Sequence, residues 1–157
     1  MELWGGHECT VNRVGDRFCD QTALTGHHDR IDDVERFAAL GITALRYPVL
    51  WERTTPELGA TPDFGWSDVR LAELERFGIR PIIGLLHHGS GPRGTSLADP
   101  ALPRHFARYA RAVAERYPHV TDWTPVNEPL TTARFAGLYG HWYPHGRDEA
   151  SFLACLV

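Results

Sequence analysis

The stretch that decides the fold covers residues 77 to 88 and reads Phe77-Gly78-Ile79-Arg80-Pro81-Ile82-Ile83-Gly84-Leu85-Leu86-His87-His88. A glycine stands where a preceding helix should stop, an apolar run follows it, and two histidines come at the end. A run that is apolar on both faces is typical of a parallel strand in a sheet covered by helices. The stretch therefore predicts the end of a helix, then a buried strand, then a polar strand end.

The same joint occurs earlier in the chain. Leu40-Gly41-Ile42 and Phe77-Gly78-Ile79 both end a helical segment with glycine and enter a strand with isoleucine, and the two glycines are 37 residues apart. Four apolar runs alternate with the helical segments, at residues 2–6, 43–47, 80–86 and 120–126. Strands that alternate with helices at this spacing form βαβ units and a parallel sheet. We therefore predict an α/β fold with four strand–helix units.

Three segments repeat apolar residues with the helical period, and a fourth helix is expected to begin near Asp148. In the second segment, Val69 belongs to the predicted apolar face and Ser67 is the expected N-cap. In the third, apolar residues recur at i, i+3, i+4, i+7, i+8 and i+11. Asp99 is its expected cap, and Pro118 forbids its continuation.

The composition is that of one ordinary globular domain. The chain has 157 residues, of which 43% are hydrophobic and 23% are charged, and no linker or low-complexity stretch divides it. We therefore expect one unit over residues 1–157 with no internal boundary. The net charge of −4 and the lack of a basic block argue against a nucleic-acid or anionic-membrane partner. No apolar run reaches the roughly 18 residues of a membrane-spanning helix.

Further absences limit the chemistry and the compartment. All 16 cationic side chains are Arg, which excludes the Schiff-base, pyridoxal and P-loop enzymes that need a lysine. The pair Gly5-Gly6 lacks the G-x-G-x-x-G pattern of a dinucleotide site, and we expect no cofactor. The N-terminus lacks the pattern of a secretory signal, and the three cysteines form no C-x-x-C pair. These features predict a cytoplasmic protein with reduced thiols and no metal site.

Polar side chains follow each predicted strand at its carboxyl end. Because the carboxyl ends of parallel strands meet at one edge of a sheet, we expect these side chains to share one rim. In barrels built from parallel strands and helices, polar groups at that rim are typical of catalytic and ligand-binding sites. In strand order they are His7, Glu8 and Asn12; Arg46, Trp51, Glu52 and Arg53; His87 and His88; and Asn127 and Glu128.

The fourth strand end is the most informative. Pro129 should restrict Glu128 to an extended backbone, which would end the strand and fix the direction of its carboxylate. In an aromatic-lined cleft, poor solvation would raise the pKa of this carboxyl group and suit it to general acid catalysis. The alternative is a turn in which Asn127 and Glu128 only satisfy backbone groups. The residues themselves leave both interpretations open.

Five segments, in order and with sensible spacing, resemble glycoside hydrolase family 1, the family of β-glucosidases and 6-phospho-β-glucosidases. Residues 123–129 contain its N-E-P segment, residues 46–53 resemble R-F-S-I-x-W-x-R, and residues 81–88 resemble P-x-V-T-L-x-H-W. Residues 3–15 resemble its N-terminal signature, and residues 140–147 resemble G-x-x-x-P-G-R. The resemblance spans nearly the whole chain. It implies a partial (β/α)8 TIM barrel, namely the first four βα units, from the N-terminal half of the family's fold.

The resemblance also implies roles for individual residues. Glu128 corresponds to the acid/base of a retaining β-glycosidase, and Asn127 to the residue that holds the sugar 2-hydroxyl. The other expected substrate-binding residues are His87, Asn12, Arg46 and Trp142. Three departures touch the expected sugar surface: Asn12 replaces a Gln, His88 replaces a Trp, and Tyr47-Pro48 replaces an aromatic-Ser pair. The resemblance therefore does not specify the sugar.

The family's nucleophile lies on the seventh strand, which these 157 residues do not contain. Because a retaining glycosidase needs two carboxyl groups roughly 5–5.5 Å apart, we expect the isolated chain to be inactive. We interpret the chain as a fragment of a longer glycosidase-like protein. Closure of the barrel by a second copy and a truncated gene product are the two alternatives. In the fragment interpretation, the longer protein could also be a sugar-nucleotide protein that resembles dTDP-4-dehydrorhamnose reductase, with this chain as its non-hydrolytic domain.

Several other polar and aromatic residues have simpler interpretations. We expect Glu8 and Glu52 to form ion pairs with Arg13, Arg46 or Arg53 rather than to replace the nucleophile. His27-His28 is expected to be a solvated helix start rather than a pair of metal ligands. Core packing is expected for three tryptophans, which are Trp4, Trp51 and Trp123, whereas Trp142 is expected to stack on sugar.

Overall fold

A computed structural model describes residues 1–157. Its six strands are β1 (Trp4–Gly6), β2 (Val11–Val14), β3 (Arg17–Asp20), β4 (Ala44–Pro48), β5 (Arg80–His87) and β6 (Asp122–Asn127). Its seven α-helices are α1 (Gln21–Leu24), α2 (Asp33–Ala39), α3 (Trp51–Thr54), α4 (Gly65–Arg76), α5 (Leu102–Arg116), α6 (Pro129–Ala133) and α7 (Glu149–Leu156). A π-helical turn, Arg134–Leu138, continues α6.

Four of the strands form one parallel sheet in the order β1-β4-β5-β6. Helices or helical turns follow β4, β5 and β6 in the chain, as the repeated glycine joints predict. The predicted α/β fold with four parallel strands is confirmed, and each predicted strand boundary is within two residues of the observed one. At the joints, Gly41 has a φ of +80° and Gly78 a φ of +68°, the left-handed conformation that glycine adopts at helix ends.

The main core lies between the sheet and its helices. Leu45 and Tyr47 of β4 pack there with Ile83 of β5, because alternate residues of a strand face the same side. Tyr109 and Val113 of α5 and its C-cap residue Tyr117 form the predicted apolar stripe in this core. The Tyr109 hydroxyl donates a 2.7 Å hydrogen bond to the Val49 carbonyl oxygen, so this buried polar atom is satisfied.

Two helix starts differ from the prediction. Helix α4 begins at Gly65, so Ser67 is a buried residue of its first turn and not its cap. Its buried face contains Arg70 and Leu71, whereas Val69 is exposed. The Arg70 guanidinium stacks 4.2 Å from the Trp66 ring centre, so this charged residue has a partner on the buried face. A simple apolar count misses a face that buries a stacked arginine.

The predicted cap of α5 is wrong, whereas that of α7 is confirmed. Asp99 accepts a hydrogen bond from the Ala101 amide, in the turn before α5, whose own N-cap is Ala101. Asp99 therefore does not cap α5 as predicted. Asp148 accepts a 2.8 Å hydrogen bond from the Ser151 amide and caps α7, which confirms the predicted start of the fourth helix.

An antiparallel hairpin of β2 and β3 precedes the first helices and was not predicted. Val14 pairs with Arg17, which leaves a two-residue turn that begins at Gly15 with a φ of +58°. Strands of four residues carry too little alternation to be recognised in the sequence. The hairpin forms a separate two-stranded sheet, so Asn12 lies outside the main sheet.

Two expectations for aromatic residues are wrong. His27 is buried, with hydrogen bonds of 2.8 Å to Asp33 and 2.7 Å to the Tyr47 hydroxyl, and is not part of a solvated helix start. Trp4 is 58% exposed, because β1 is an edge strand. The core positions predicted for Trp51 and Trp123 are confirmed. None of the helices combines the length and the apolar character that crossing a membrane requires.

Candidate active site

Glu128 stands at the point where β6 ends and α6 begins. Its side chain is exposed, and its φ of +45° and ψ of 62° are left-handed, not extended as predicted. The amide and hydroxyl of Thr132 each donate a 3.0 Å hydrogen bond to the Glu128 carbonyl oxygen. The chain thus turns from strand to helix within one residue, and the helix start outweighs the preference imposed by Pro129. Such a conformation costs a non-glycine residue about 1–2 kcal/mol.

The exposure of Glu128 corrects a second expectation. The side chain lies open to solvent and not in an aromatic-lined cleft that would desolvate it. Within these 157 residues, its environment is therefore that of an accessible surface carboxylate. A strained residue that carries an accessible carboxylate beside buried polar groups is a candidate functional residue.

Asn127, next to it, is buried and held at both ends of its amide. Its Oδ1 accepts a 2.6 Å hydrogen bond from the Arg46 guanidinium, which can only donate. Its Nδ2 lies 3.2 Å from His88 Nε2 and must donate to it. His88 Nδ1 then donates to the Thr132 hydroxyl, 2.9 Å away. The second N–H of the Asn127 amide makes no hydrogen bond within the chain.

His87 forms a second polar group at the same edge of the sheet, since it pairs in register with Asn127. Its ring is buried, with Nδ1 3.0 Å from the Cys9 sulfur and Nε2 3.8 Å from Glu8 Oε1. Burial lowers the pKa of His87 to about 4, so the imidazole is neutral at neutral pH. The Glu8 carboxylate accepts hydrogen bonds from the Thr10 amide and hydroxyl, at 3.0 and 2.6 Å.

The carboxyl group of Glu52 is buried, unlike that of Glu128. Its Oε1 accepts a 2.9 Å hydrogen bond from the Gly91 amide, and its Oε2 is buried with no partner. Burial raises the pKa of Glu52 to about 7.

The predicted ion pairs of Glu52 and Glu8 with arginine are wrong, because each candidate arginine bonds elsewhere. The observed pairs are Arg13 with Asp16, Arg46 with Asn127, and Arg53 with Asp20.

The remaining predicted residues lie at different places. Trp142 is half-buried, with its ring centre 5.4 Å from that of His88 and 4.7 Å from that of Phe135. It therefore stands beside the group around Asn127. Asn12 is half-buried on the hairpin opposite Cys19, and no hydrogen bond joins it to that group.

Sequence reasoning missed two residues of the site. They are Cys9, which stands in no C-x-x-C pair, and Thr132, which stands in no recognised motif. Cys9 is separated from His87 by 78 positions, so no local pattern could have joined them. No group of three or more His, Cys, Asp or Glu side chains is arranged to hold a metal ion. The site offers hydrogen-bond donors and acceptors beside an accessible carboxylate.

Comparisons with known proteins find relatives that are similar in sequence and in structure. The chain is 29% identical to a 6-phospho-beta-glucosidase of Dickeya chrysanthemi, over 95% of the chain and 34% of the relative. It is also 29% identical to Beta-glucosidase A of Thermotoga maritima, over 94% and 35%. A solved family 1 β-glucosidase from Thermotoga maritima superimposes with a TM-score of 0.73 at 26% identity, over 82% of this chain and 31% of that one. The chain thus spans about a third of the length of these relatives.

The structural neighbours are TIM-barrel β-glucosidases, and the parallel sheet described above corresponds to part of that barrel. The family model for glycosyl hydrolase family 1 matches residues 3–155, which is almost the entire chain. On this match, the chain belongs to glycosyl hydrolase family 1.

Proposed function

We propose that the chain supplies the acid/base carboxyl group and part of the sugar-binding surface of a retaining β-glycosidase. The observation that carries the proposal is the exposed Glu128 carboxylate beside Asn127, whose amide is held by Arg46 and His88. The relatives named above are glycosidases, which favours hydrolysis over the sugar-nucleotide alternative. We assign residues 1–157 to the first four of eight βα units.

In the proposed reaction, Glu128 gives its proton to the glycosidic oxygen as the bond from that oxygen to the sugar C1 breaks. A nucleophilic carboxylate forms a bond to C1 on the opposite face. Glu128 then takes a proton from a water molecule, whose oxygen attacks C1 and displaces the nucleophile. We assign the second N–H of Asn127 to the sugar 2-hydroxyl, and the further proposed sugar contacts are His87, Arg46, Asn12 and Trp142.

The nucleophile must come from outside these residues. Glu52 is buried against the Gly91 amide, and Glu8 is held by Thr10, so neither is free to act as a partner of Glu128. We propose that a further segment of a longer protein supplies it. A second copy of the chain is the alternative supplier, and sedimentation of the active species separates the two. The three cysteines are free, and we propose a reducing, cytoplasmic location.

The proposal predicts the effect of Glu128→Gln in the protein that carries this chain. Hydrolysis of an alkyl β-glycoside should fall by about 100- to 10,000-fold, the usual contribution of acid/base catalysis. Glycosylation by a 4-nitrophenyl β-glycoside should fall much less, since this leaving group departs without protonation. The measurement is kcat/KM for both substrates, which reports the glycosylation step, with neutral and 6-phosphorylated sugars.

Glu35→Gln serves as the control, because Glu35 is an exposed glutamate on α2, away from the strand ends. It should leave both rates unchanged. Equal loss on both substrates, or undiminished hydrolysis of the alkyl glycoside by Glu128→Gln, would contradict the proposed role of Glu128.

A further inference from the structure

The hairpin of β2 and β3 is held against the loop of residues 140–147, which follows the π-helical turn. The Tyr143 amide donates a 2.8 Å hydrogen bond to the Arg13 carbonyl oxygen. The Arg13 guanidinium lies 3.8 Å from the centre of the Tyr143 ring, a cation–π distance. At the tip of the hairpin, the Gly15 amide donates a 2.9 Å hydrogen bond to Nε2 of His145, 130 positions away in the chain.

Both ring nitrogens of His145 face backbone groups that determine where the hydrogen lies. Nδ1 lies 3.0 Å from the Gly140 carbonyl oxygen, which can only accept, so Nδ1 carries the hydrogen. Nε2 accepts the N–H of Gly15 and therefore carries none. This geometry requires a neutral ring in the Nδ1–H tautomer, because a ring with hydrogen on both nitrogens has no acceptor for Gly15.

The backbone of His145 is left-handed, with a φ of +65°, which strains a residue that has a Cβ. Hydrogen bonds of 2.8 Å on either side hold it there. The His145 amide donates to the Trp142 carbonyl oxygen, and the Gly146 amide donates to that of Ala136. Glycine would adopt this φ without strain. What histidine adds at this position is the ring that bridges two backbone groups, and strained residues of this kind concentrate at functional sites.

The bridge lies beside two candidate sugar contacts. Asn12 adjoins Arg13 in the hairpin, and Trp142 adjoins the next residue of the loop, Tyr143. Because Arg13 and Tyr143 bond to each other, the place of one candidate contact depends on the place of the other. The Trp142 ring also lies 5.4 Å from that of His88, between ring centres, so the loop connects the hairpin to the group around the sheet edge.

We propose that His145 is a positioning residue, whose ring in the Nδ1–H tautomer holds the hairpin against the loop of residues 140–147. The bridge fixes Asn12 relative to Trp142, the candidate sugar contacts on those two segments. The first half of the proposal concerns the chain by itself and needs no ligand. The second half rests on the proposed function, because it gives the bridge a role in sugar binding.

The first test determines the tautomer in the 157-residue chain without sugar. Two-bond 1H–15N correlation spectra of 15N-histidine-labelled protein at about pH 8, where histidine side chains are neutral, distinguish protonated from unprotonated ring nitrogens. The His145 signals are assigned by their through-space contact with the Gly15 amide and by their loss in His145→Gly. We expect a protonated Nδ1 and an unprotonated Nε2, the reverse of the tautomer that free histidine favours in water. A protonated Nε2 overturns the proposal.

The variant His145→Gly separates the bridge from backbone strain. The stability to urea should change little, because relief of the strained φ offsets the greater freedom of glycine in the unfolded chain. The Gly15 amide loses its acceptor and should exchange with water about two- to tenfold faster, the factor that corresponds to one net hydrogen bond. Its intrinsic exchange rate is unchanged, since residue 145 is no neighbour of Gly15 in the chain.

The matched control is His119→Gly, which removes an exposed histidine from the turn before β6. It should leave the exchange of the Gly15 amide unchanged. Unaltered exchange in His145→Gly, or equal acceleration in the two variants, contradicts the bridge. If His145→Gly does not fold, the tautomer in the wild-type chain decides.

The second half is tested in the protein that carries this chain. His145→Gly should raise KM for a β-glycoside about two- to tenfold and change kcat little, because Glu128 is untouched. His119→Gly should leave both constants unchanged. An unchanged KM in His145→Gly overturns the role in sugar binding and leaves the proposed function in place. If the wild-type protein hydrolyses no β-glycoside, the proposed function and the second half both fail, whereas the tautomer decides the first half.

Discussion

At the scale of single residues, the carboxyl groups of this chain differ most in their solvation. Glu128 is exposed on a strained backbone, Glu8 is exposed but held by Thr10, and Glu52 is buried with one oxygen unpaired. Proton transfer to a bound glycoside needs an accessible group, which favours Glu128. Glu52 has a structural position, because it fills the space beside Gly89 and ties α3 to the loop that follows β5.

The buried Glu52 predicts a specific pH dependence of stability. Its pKa is about 7 in the folded chain and near 4.5 in the unfolded chain, so the folded state binds the proton more tightly. Its contribution to the free energy of unfolding is complete below about pH 4.5, declines as the pH rises, and levels off above about pH 7. Glu52→Gln keeps an acceptor for the Gly91 amide and should remove this decline.

Urea unfolding of the wild-type chain and the variant, at several pH values between about 4.5 and 8, measures the effect. The difference between the two proteins isolates Glu52 from the other titrating groups. Glu75→Gln, at an exposed position on α4, is the matched control and should follow the wild type. Parallel pH profiles for the wild type and Glu52→Gln would show that Glu52 is already ionised in the folded chain.

At the scale of the elements, close backbone contact decides how the last helix docks. The π-helical turn passes so near α7 that a Cβ at Gly137 would lie 2.6 Å from the Ser151 carbonyl oxygen and 2.7 Å from the Phe152 Cα. Real Cβ atoms do not approach backbone so closely, so only glycine fits. Helix α7 then covers Leu86 and Leu97 with Cys155.

Gly137→Ala should therefore displace α7 and reduce the free energy of unfolding by about 1–3 kcal/mol, the usual cost of overpacking. Thiol labelling of Cys155, in a Cys19→Ser background that removes the exposed thiol, should become faster. Unfolding in urea gives the stability change.

The comparison variant is Gly78→Ala, which meets no atom within 4 Å but has a φ of +68°. It should lose about 1–2 kcal/mol through backbone strain alone, with the labelling rate of Cys155 unchanged. Equal acceleration of labelling in both variants would mean that general loss of stability, and not contact with α7, exposes Cys155.

At the scale of the whole molecule, the main sheet has two open edges. Strands β1 and β6 each have a neighbour on one side only. Unpaired backbone groups at sheet edges promote association with other chains. Trp4, which is 58% exposed on β1, adds apolar surface at one of these edges.

The 157-residue chain in isolation should consequently associate as its concentration rises, and Trp4→Lys should lower that association. Static light scattering over a range of concentrations provides the measurement. Leu40→Lys changes a comparably exposed apolar residue at the end of α2, away from the sheet edges, and should have less effect. A wild-type chain that stays monomeric at every concentration would contradict the role given to the edges.

The sequence by itself determined the alternation of strands and helices, the glycine joints, and the polar residues at the strand ends. These are local features, because the period of an element and the residue that ends it are encoded in neighbouring positions. The residues that identify the family are likewise contiguous, as in the segment from Trp123 to Pro129. For this reason the fold and most of the candidate site residues could be predicted before the structure.

Only the tertiary structure decided how those residues meet. Arg46 bonds to Asn127 across 81 positions, Cys9 meets His87 across 78, and Glu52 is buried by a loop that begins 37 residues later. No local pattern encodes such pairs, because they depend on strand register and on the space left between elements. The helix that follows Glu128 determines its backbone conformation. Two hydrogen bonds from Thr132 to the Glu128 carbonyl oxygen outweigh the preference for an extended backbone that Pro129 imposes.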